Sequence, residues 1–310
     1  MGARLLSRKV QPGAWAILAT PFAGDGSVDR EGMARLAAFY RQAGARGLVV
    51  LGVMGEAAKL ADDERRPVIE AALGEAGRLP VIVGVSAPSH AAVRRRIDEA
   101  AGLGAAGVML SPGPGMGRGA IVELFAEAGR AGLPIVLQDH PASSGVEMPS
   151  RLIGDILAAT EAIAAVKLEA PPTPTKAAEL VPLLAPRDIT LLGGLGALSL
   201  LDELDAGCEG SMTGFAFPEV LVSVVAAHRE GDRDRARRLY EAFLPWLVFE
   251  SMPVMSLGIR KAFLKGRGLI ADPRPRPPFR ELGPVIEARL EELLRAFPDA
   301  ARKSGIEPVA

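Results

Sequence analysis

The sequence has little of what marks secreted, membrane-spanning or metal-binding proteins. Its 310 residues include one cysteine, Cys208, so no internal disulfide can form and a reducing, cytoplasmic location is expected. The three histidines, His90, His140 and His228, lie far apart, and no carboxylate spacing indicates a metal site. No apolar run is long enough to span a bilayer, and residues 1–13 lack the apolar stretch of a signal peptide.

Excess charge is also missing. The formal net charge is −1, which indicates neither a nucleic-acid groove nor a surface that attracts membranes. Neither nucleic acid nor a membrane is therefore expected as a partner. Apolar residues make up 49% of the chain, enough for a large core, and the lone Cys208 is interpreted as buried packing.

Short apolar runs alternate with longer amphipathic segments through most of the chain. The runs are bounded by glycine or proline, which is typical of parallel strands buried on both faces. Strands are predicted at Ala14–Ala19, Gly47–Leu51, Val81–Val85, Gly107–Leu110, Ile135–Leu137, Ile163–Leu168, Ile189–Leu192 and Gly210–Thr213. Helices are predicted between and after them at 29–44, 62–77, 89–103, 119–131, 149–160, 173–185, 197–206 and 217–230, with Asp62 and Ser89 as start signals.

Eight such βα units predict an α/β fold of the closed (β/α)8 TIM-barrel type over residues 1–231. An open doubly wound sheet is the alternative, but TPFAGDGS at 20–27 is not the glycine fingerprint that such a sheet carries after its first strand. Residues 232–310 form a C-terminal helical region without strands, packed on the barrel or making subunit contacts. Its helices are predicted at Arg233–Phe243, Met255–Lys265 and Pro284–Ala296, with a loop at 272–279.

Lys167 is the first candidate for chemistry. The chain has only seven lysines, and this one closes the buried run AIAAVK at the strand end where TIM barrels hold their active sites. Burial of an ammonium is costly unless its charge is paired or lost, and a neutral amine is what attack on a ketone needs. A structural ion pair with Glu169, or a lysine that extends to solvent, fits the position equally well.

Polar groups on two neighbouring strands surround this lysine. Since side chains alternate along a strand, Lys167 and Glu169 share a face, as do Gln138 and His140. The sequence therefore predicts an amine, a carboxylate, an imidazole and an amide around one space. Glu169 and His140 could move protons there. Alternatively, Glu169 only pairs with the lysine, and Asp139 holds His140 as a loop contact.

The motifs at these positions resemble those of the dihydrodipicolinate synthase / N-acetylneuraminate lyase family over roughly residues 13–230. They are TPF at 20–22, GVMGEAAKL at 52–60, LPIVLQDHPASSGV at 133–146 and AAVKLE at 164–169, with RKAFLKGRGLI at 260–270 fitting the family's helical tail. The resemblance implies a barrel enzyme, usually a tetramer, whose lysine condenses with the keto group of pyruvate or a similar 2-oxo acid. Catalysis then makes or breaks a carbon–carbon bond, or eliminates water. A homo-oligomer, dimer or tetramer, is expected, and no cofactor or metal.

The resemblance also implies roles for particular residues. The Schiff-base lysine falls on Lys167, and the turn that holds the ketoacid carboxylate falls on Gly52–Glu56, which makes Gly52, Val53, Met54 and Gly55 candidate substrate-binding residues. Met212, near the end of the eighth strand, is the corresponding pocket residue.

Departures from the family pattern concern the same site. Val53 and Met54 replace two threonines of the turn, so two hydroxyl donors are missing. Gln138 stands where the family has a proton-relaying tyrosine, and an amide is no general acid near neutral pH. Residues 113–114 replace a tyrosine pair, and Ser143 replaces the arginine of authentic dihydrodipicolinate synthases. Lysine biosynthesis is therefore not expected, and PASSGV is closer to the sialic acid lyases.

Three functions follow from these residues. The favoured one is a Schiff-base lyase or aldolase acting on pyruvate or another 2-oxo acid. The second is a Schiff-base dehydratase or decarboxylase of a sugar-acid-like 2-oxo acid. The third is a non-catalytic barrel that binds 2-oxo acids, as the lost tyrosine and threonines would allow. In either enzyme a new proton relay is needed, for which Glu169 and His140 are the nearest candidates.

Overall fold

Eight parallel strands pair in sequence order and close into a barrel. The structure is a computed structural model that describes residues 9–309. The strands are β1 (Gly13–Ile17), β2 (Leu48–Val50), β3 (Val81–Gly84), β4 (Gly107–Leu110), β5 (Ile135–Asp139), β6 (Ile163–Leu168), β7 (Thr190–Gly193) and β8 (Gly210–Thr213). The barrel closes where β1 pairs with β8, with Gly13 opposite Gly210. The predicted TIM barrel is thus confirmed and the open sheet is wrong.

Helices follow the strands on the outside of the barrel and continue after β8. They are α1 (Arg30–Gln42), α2 (Asp62–Ala76), α3 (His90–Leu103), α4 (Arg118–Gly129), α5 (Pro141–Ser144), α6 (Ser150–Ala159), α7 (Thr173–Leu184), α8 (Leu200–Asp205), α9 (Pro218–Arg229), α10 (Arg233–Glu250), α11 (Ser256–Gly266) and α12 (Gly283–Lys303). Short 3₁₀ turns lie at Ala57–Lys59, Ala185–Arg187 and Leu195–Ala197. The four-residue α5, directly after His140, is not predicted from the sequence pattern.

Two apolar clusters divide the core. One lies between the sheet and the helices, and the other fills the barrel interior with alternate strand residues such as Ile17, Met109, Val136 and Leu192. The interior is therefore packed rather than hollow. Side chains can meet a ligand only above this packed layer, at the carboxyl ends of the strands.

Two helices of the C-terminal region are longer than predicted. The prediction ends them at Phe243 and Ala296, each just before a proline, whereas α10 continues through Pro245 and α12 through Pro298. Proline removes a helical hydrogen bond, so a stop is the usual expectation. Here aromatic packing around Phe297 outweighs it. Ring centroids lie 4.2 Å away at Phe217, 5.8 Å at Phe243 and 6.1 Å at Trp246.

Helix starts and the predicted loop can also be compared with the structure. Ser89 caps α3, because its hydroxyl accepts a hydrogen bond from the amide of Ala92 at 3.2 Å. Asp62 is instead the first residue of α2, whose cap is Ala61. The loop at 272–279 and the burial of Cys208 are confirmed. The structure does not describe residues 1–8 and 310. The first of these belong to the predicted barrel and to the segment predicted not to be a signal peptide, and the last belongs to the predicted helical tail.

The helices after β8 pack on the barrel through buried ion pairs. Arg267 pairs with Glu219 of α9 at 2.8 Å, and Lys261 of α11 reaches the loop after β2 at Glu56, at 2.6 Å. Among residues 9–309, no helix is both long and apolar enough to cross a membrane.

Candidate active site

Lys167 lies on the inner face of β6 at its carboxyl end. Its inward direction follows from alternation with Ala165, which belongs to the interior cluster. In register it stands beside Gln138 of β5 and Leu192 of β7, and only 5% of its surface is exposed. The sequence-predicted lysine therefore lies at the floor of the barrel mouth.

Glu169 is the direct partner of this lysine. Its Oε2 atom lies 2.8 Å from Lys167 Nζ and accepts a hydrogen bond from Gln138 Nε2, also at 2.8 Å. Its Oε1 atom accepts a longer bond, 3.4 Å, from the Leu195 amide. Burial raises the pKa of Glu169, but the charges of Lys167 and His140 and the two side-chain hydrogen bonds outweigh it and lower the pKa below its usual value. The carboxylate is therefore ionised at neutral pH.

His140 completes the predicted group. Its Nδ1 atom lies 3.9 Å from Glu169 Oε2 and 2.6 Å from the Ser143 hydroxyl. Burial lowers the pKa of His140, more than the Glu169 charge raises it, so the ring is neutral at pH 7. The interpretation that Asp139 holds this ring is wrong. Asp139 lies on the opposite face of β5 and pairs with Lys176 of α7 at 2.5 Å.

The turn after β2 forms another side of the barrel mouth. A Cβ at Gly52 would meet Met109 and Ile17 of the barrel interior, and Met54 packs against the same interior cluster. Val53 is half exposed. Within residues 9–309, the amides of Val53 and Met54 make no hydrogen bond, so two adjacent donors are available to an anion at this turn.

Residues of other elements hold the remainder of this turn in place. The Thr20 hydroxyl donates to the Gly55 carbonyl at 2.7 Å. The side chain of Glu56, which ends the predicted carboxylate-binding turn, is buried against Lys261. Met212 is fully buried in the interior cluster, in register with Trp15. It therefore forms part of the packed floor rather than an open wall.

Two further polar residues lie in this region, Ser111 at the end of the fourth strand, where the sequence predicts it, and Glu203, which the sequence analysis does not name. Ser111 follows β4 on the face of Met109, and its buried hydroxyl has no hydrogen-bond partner among the described residues. Glu203 of α8 accepts a hydrogen bond from Thr173 at 2.6 Å. The sequence does contain an indication of Glu203. It lies on the same helix face as Leu200 and Leu204, and a carboxylate on such an apolar face is unusual.

Glu203 and Glu169 approach β7 from opposite sides. A Cβ at Gly193 would lie 1.8 Å from Glu203 Oε2, and one at Gly194 would lie 2.3 Å from Glu169 Cγ. Consecutive glycines thus make room for two carboxyl groups. Burial raises the pKa of Glu203 to about 7, and the charge of Glu169 makes a smaller contribution in the same direction. The hydrogen bond from Thr173 lowers the pKa but does not offset burial.

The described residues contain no group of three or more His, Cys, Asp or Glu placed to hold a metal ion. The site instead offers an amine, an ionised carboxylate and a neutral imidazole at its centre, with free backbone amides at its rim. This set suits nucleophilic and acid–base chemistry on a small anion.

Comparison with known proteins agrees with this arrangement. The model of the dihydrodipicolinate synthetase family matches residues 11–297. The chain is 34% identical to L-2-keto-3-deoxyarabonate dehydratase of Azospirillum brasilense, over 91% of this chain and 93% of the relative. It is 30% identical to 4-hydroxy-tetrahydrodipicolinate synthase of Methanosarcina mazei, over 91% and 97%. The crystal structure of dihydrodipicolinate synthase from Rhodopseudomonas palustris superposes with a TM-score of 0.89 at 36% identity, covering 94% of this chain and 99% of that one.

The barrel and its family relatives place the protein among the lyases. More closely, the chain belongs to the dihydrodipicolinate synthetase family, as the motifs around Lys167 indicate from sequence.

Proposed function

We propose that this protein is a Schiff-base lyase that acts on a 2-oxo acid through Lys167. The observation that carries the proposal is the 2.8 Å contact between Lys167 Nζ and the buried, ionised Glu169. A lysine needs a neighbour that accepts its proton before it can attack a ketone. Glu169 is within hydrogen-bonding distance of the amine and can accept this proton.

The chemistry follows from this pair. Glu169 accepts a proton from the ammonium, and the free amine forms a bond to the keto carbon. The keto oxygen leaves as water, with one hydrogen from the amine nitrogen and the other returned by Glu169, which gives an iminium ion and restores the carboxylate. The iminium withdraws electrons from the substrate and acidifies the hydrogens on C3. A carboxylate freed from its salt bridge is then the base that removes a C3 proton and leaves an enamine.

The substrate carboxylate fits the turn after β2. The free amides of Val53 and Met54 point to backbone recognition, in place of the hydroxyl donors of the family's usual turn. Gln138 donates to Glu169 and so orients the base, a role that an amide can fill although it cannot relay protons.

Dehydration of a 3-deoxy-2-oxo sugar acid is the second candidate, and Gln138 favours it. Cleavage of the C3–C4 bond needs a base that deprotonates the C4 hydroxyl, and Gln138 cannot serve as one. Water elimination needs only one carboxyl group. Glu169 removes the C3 proton, the C4–O bond breaks, and the same proton leaves with the hydroxide as water. The relative from Azospirillum, whose name is that of a 2-keto-3-deoxy acid dehydratase, supports this assignment.

Deuterium exchange tests the proposal without knowledge of the physiological substrate. In D₂O, an enzyme that forms the enamine of pyruvate exchanges the methyl hydrogens, which proton NMR follows directly. We expect exchange by the native protein and none by Lys167→Arg, with Lys176→Arg, a lysine paired outside the barrel, as the matched control. Exchange that survives Lys167→Arg contradicts the proposal. With 2-keto-3-deoxyarabonate, loss of water indicates the dehydratase, and release of pyruvate indicates the aldolase.

We also propose a homo-oligomer, as expected from the family resemblance. Large apolar side chains at Leu198, Val248 and Val254 are exposed by 42%, 58% and 81%, on α10 and the loops beside it. Light scattering at micromolar concentration would test this, since a monomer mass contradicts it. The cytoplasmic location remains a prediction from the single cysteine.

A further inference from the structure

Three of the motifs that mark the family in this sequence meet at one place in the fold. Thr20 and Phe22 belong to the first, the turn ending at Glu56 to the second, and Lys261 to the third. Lys261 Nζ lies 4.2 Å from the centroid of the Phe22 ring, and the Arg276 guanidinium lies 4.4 Å from the same centroid. The C-terminal helices therefore reach the rim of the barrel mouth.

Glu56 is the centre of this contact. Its Oε1 atom accepts a hydrogen bond from Lys261 Nζ at 2.6 Å, and its Oε2 atom accepts bonds from the Arg276 amide at 2.8 Å and Lys59 Nζ at 3.2 Å. Lys261 is fully buried and Glu56 is 3% exposed. Removing Lys261 takes away the partner of Glu56 Oε1 and leaves Lys59 and the Arg276 amide on Oε2 alone, and breaking a buried ion pair in this way is strongly unfavourable.

The turn needs such an anchor because its backbone is strained. Leu51 and Glu56, at its two ends, have φ values of 58° and 55°, in the left-handed region that residues other than glycine avoid. Between them, the Gly55 amide donates to Gly52 and the Glu56 amide to Val53, each at 3.0 Å. In this arrangement the amides of Val53 and Met54 donate to no described residue.

We propose that Lys261 is a positioning residue for the substrate-binding turn. The C-terminal helical region, through Lys261 and the backbone of Arg276, holds Glu56 in its left-handed conformation and thereby presents the Val53 and Met54 amides at the barrel mouth. The inference rests on the proposed function in one respect, that this turn binds the carboxylate of the 2-oxo acid. The anchoring itself is independent of the substrate.

Hydrogen exchange and steady-state kinetics on the full-length protein test the two halves separately. In Lys261→Met, we expect faster amide exchange in peptides covering residues 51–57. The KM for the 2-oxo acid should rise roughly tenfold to a hundredfold, because this is the effect of losing one charged hydrogen bond. The value of kcat should change much less. Lys261→Arg should recover most of the KM. Glu56→Gln, which keeps the size of the side chain, should reproduce the effect if Lys261→Met fails to fold.

Arg267→Met is the matched control, because it breaks another buried ion pair of the C-terminal region, with Glu219 of α9, away from the turn. It should leave exchange at residues 51–57 and KM unchanged. Unchanged exchange at the turn in both Lys261→Met and Glu56→Gln, or an equal change in Arg267→Met, overturns the inference. Faster exchange at the turn with an unchanged KM also overturns it. If the native protein has no activity on any 2-oxo acid, the proposed function fails, while the exchange data still decide the anchoring.

Discussion

One carboxylate oxygen of Glu169 forms an ion pair with Lys167 and accepts a hydrogen bond from Gln138, each at 2.8 Å. The residue that stands in the place of the family's tyrosine thus fixes a carboxylate beside the lysine. In the proposed mechanism, this carboxylate accepts the proton of the lysine and later removes the C3 hydrogen of the substrate.

Replacing Glu169 with Gln separates these roles. The amide keeps a hydrogen-bond acceptor beside Lys167 but cannot take a proton, so turnover should fall roughly a hundredfold to ten-thousandfold, the range of general acid–base catalysis. Schiff-base formation, measured by reductive trapping, should fall far less. Equal losses in both would remove Glu169 from the proton-transfer step.

Gly194→Ala should displace the same carboxylate without changing its chemistry. The new Cβ would lie 2.3 Å from Glu169 Cγ, so the Glu169 side chain must shift from its present position beside Lys167. We expect turnover to fall at least about tenfold, because a small misplacement of a catalytic group is costly. Gly154→Ala, in α6 with no atom within 4 Å of the added Cβ, is the control and should leave turnover unchanged. Wild-type turnover in Gly194→Ala would show that the position of Glu169 does not matter.

Glu203 should make stability fall as pH rises. Its pKa is about 7 in the folded protein against the ordinary 4.5, so between these values the unfolded chain loses the proton while the folded one keeps it. The penalty is absent below pH 4.5, grows up to about pH 7 and then stays at about 3 kcal/mol.

Glu203→Gln, which keeps an acceptor for Thr173, has no such titration. Its free energy of unfolding relative to the native protein, from denaturant titrations, should therefore increase by about 3 kcal/mol between pH 4 and pH 8. A difference that stays constant over this range would show that Glu203 ionises normally.

Val53→Thr tests the carboxylate-binding turn from the opposite direction, by adding a donor. Threonine has nearly the shape of valine, and Val53 is half exposed, so folding should be unaffected. An additional hydroxyl at the exposed rim should lower the KM for pyruvate about fivefold, the net value of one typical hydrogen bond. Val248→Thr, also half exposed but on α10, is the control. An unchanged KM in Val53→Thr would place the carboxylate elsewhere.

Period and spacing were sufficient for the barrel, because most of its strands are predominantly apolar and several of its helices end near a glycine. They were insufficient at Pro245 and Pro298, where distant aromatic rings keep the helices intact. In the site, strand alternation correctly placed Gln138, Lys167 and Glu169 on one face. Strand alternation could not predict the ion pairs of Lys176 with Asp139 and of Lys261 with Glu56. The partners in each pair are distant in sequence and come together only in the folded chain.

Reductive trapping tests the central claim most directly. The native protein is incubated with pyruvate, reduced with borohydride, digested and analysed by mass spectrometry. The account predicts one adduct of the mass of reduced pyruvate on Lys167, absent from Lys167→Arg and present in Lys176→Arg. An adduct on another lysine, or none with pyruvate, 2-oxobutyrate or 2-keto-3-deoxyarabonate, would contradict the assignment of Lys167 as the Schiff-base lysine.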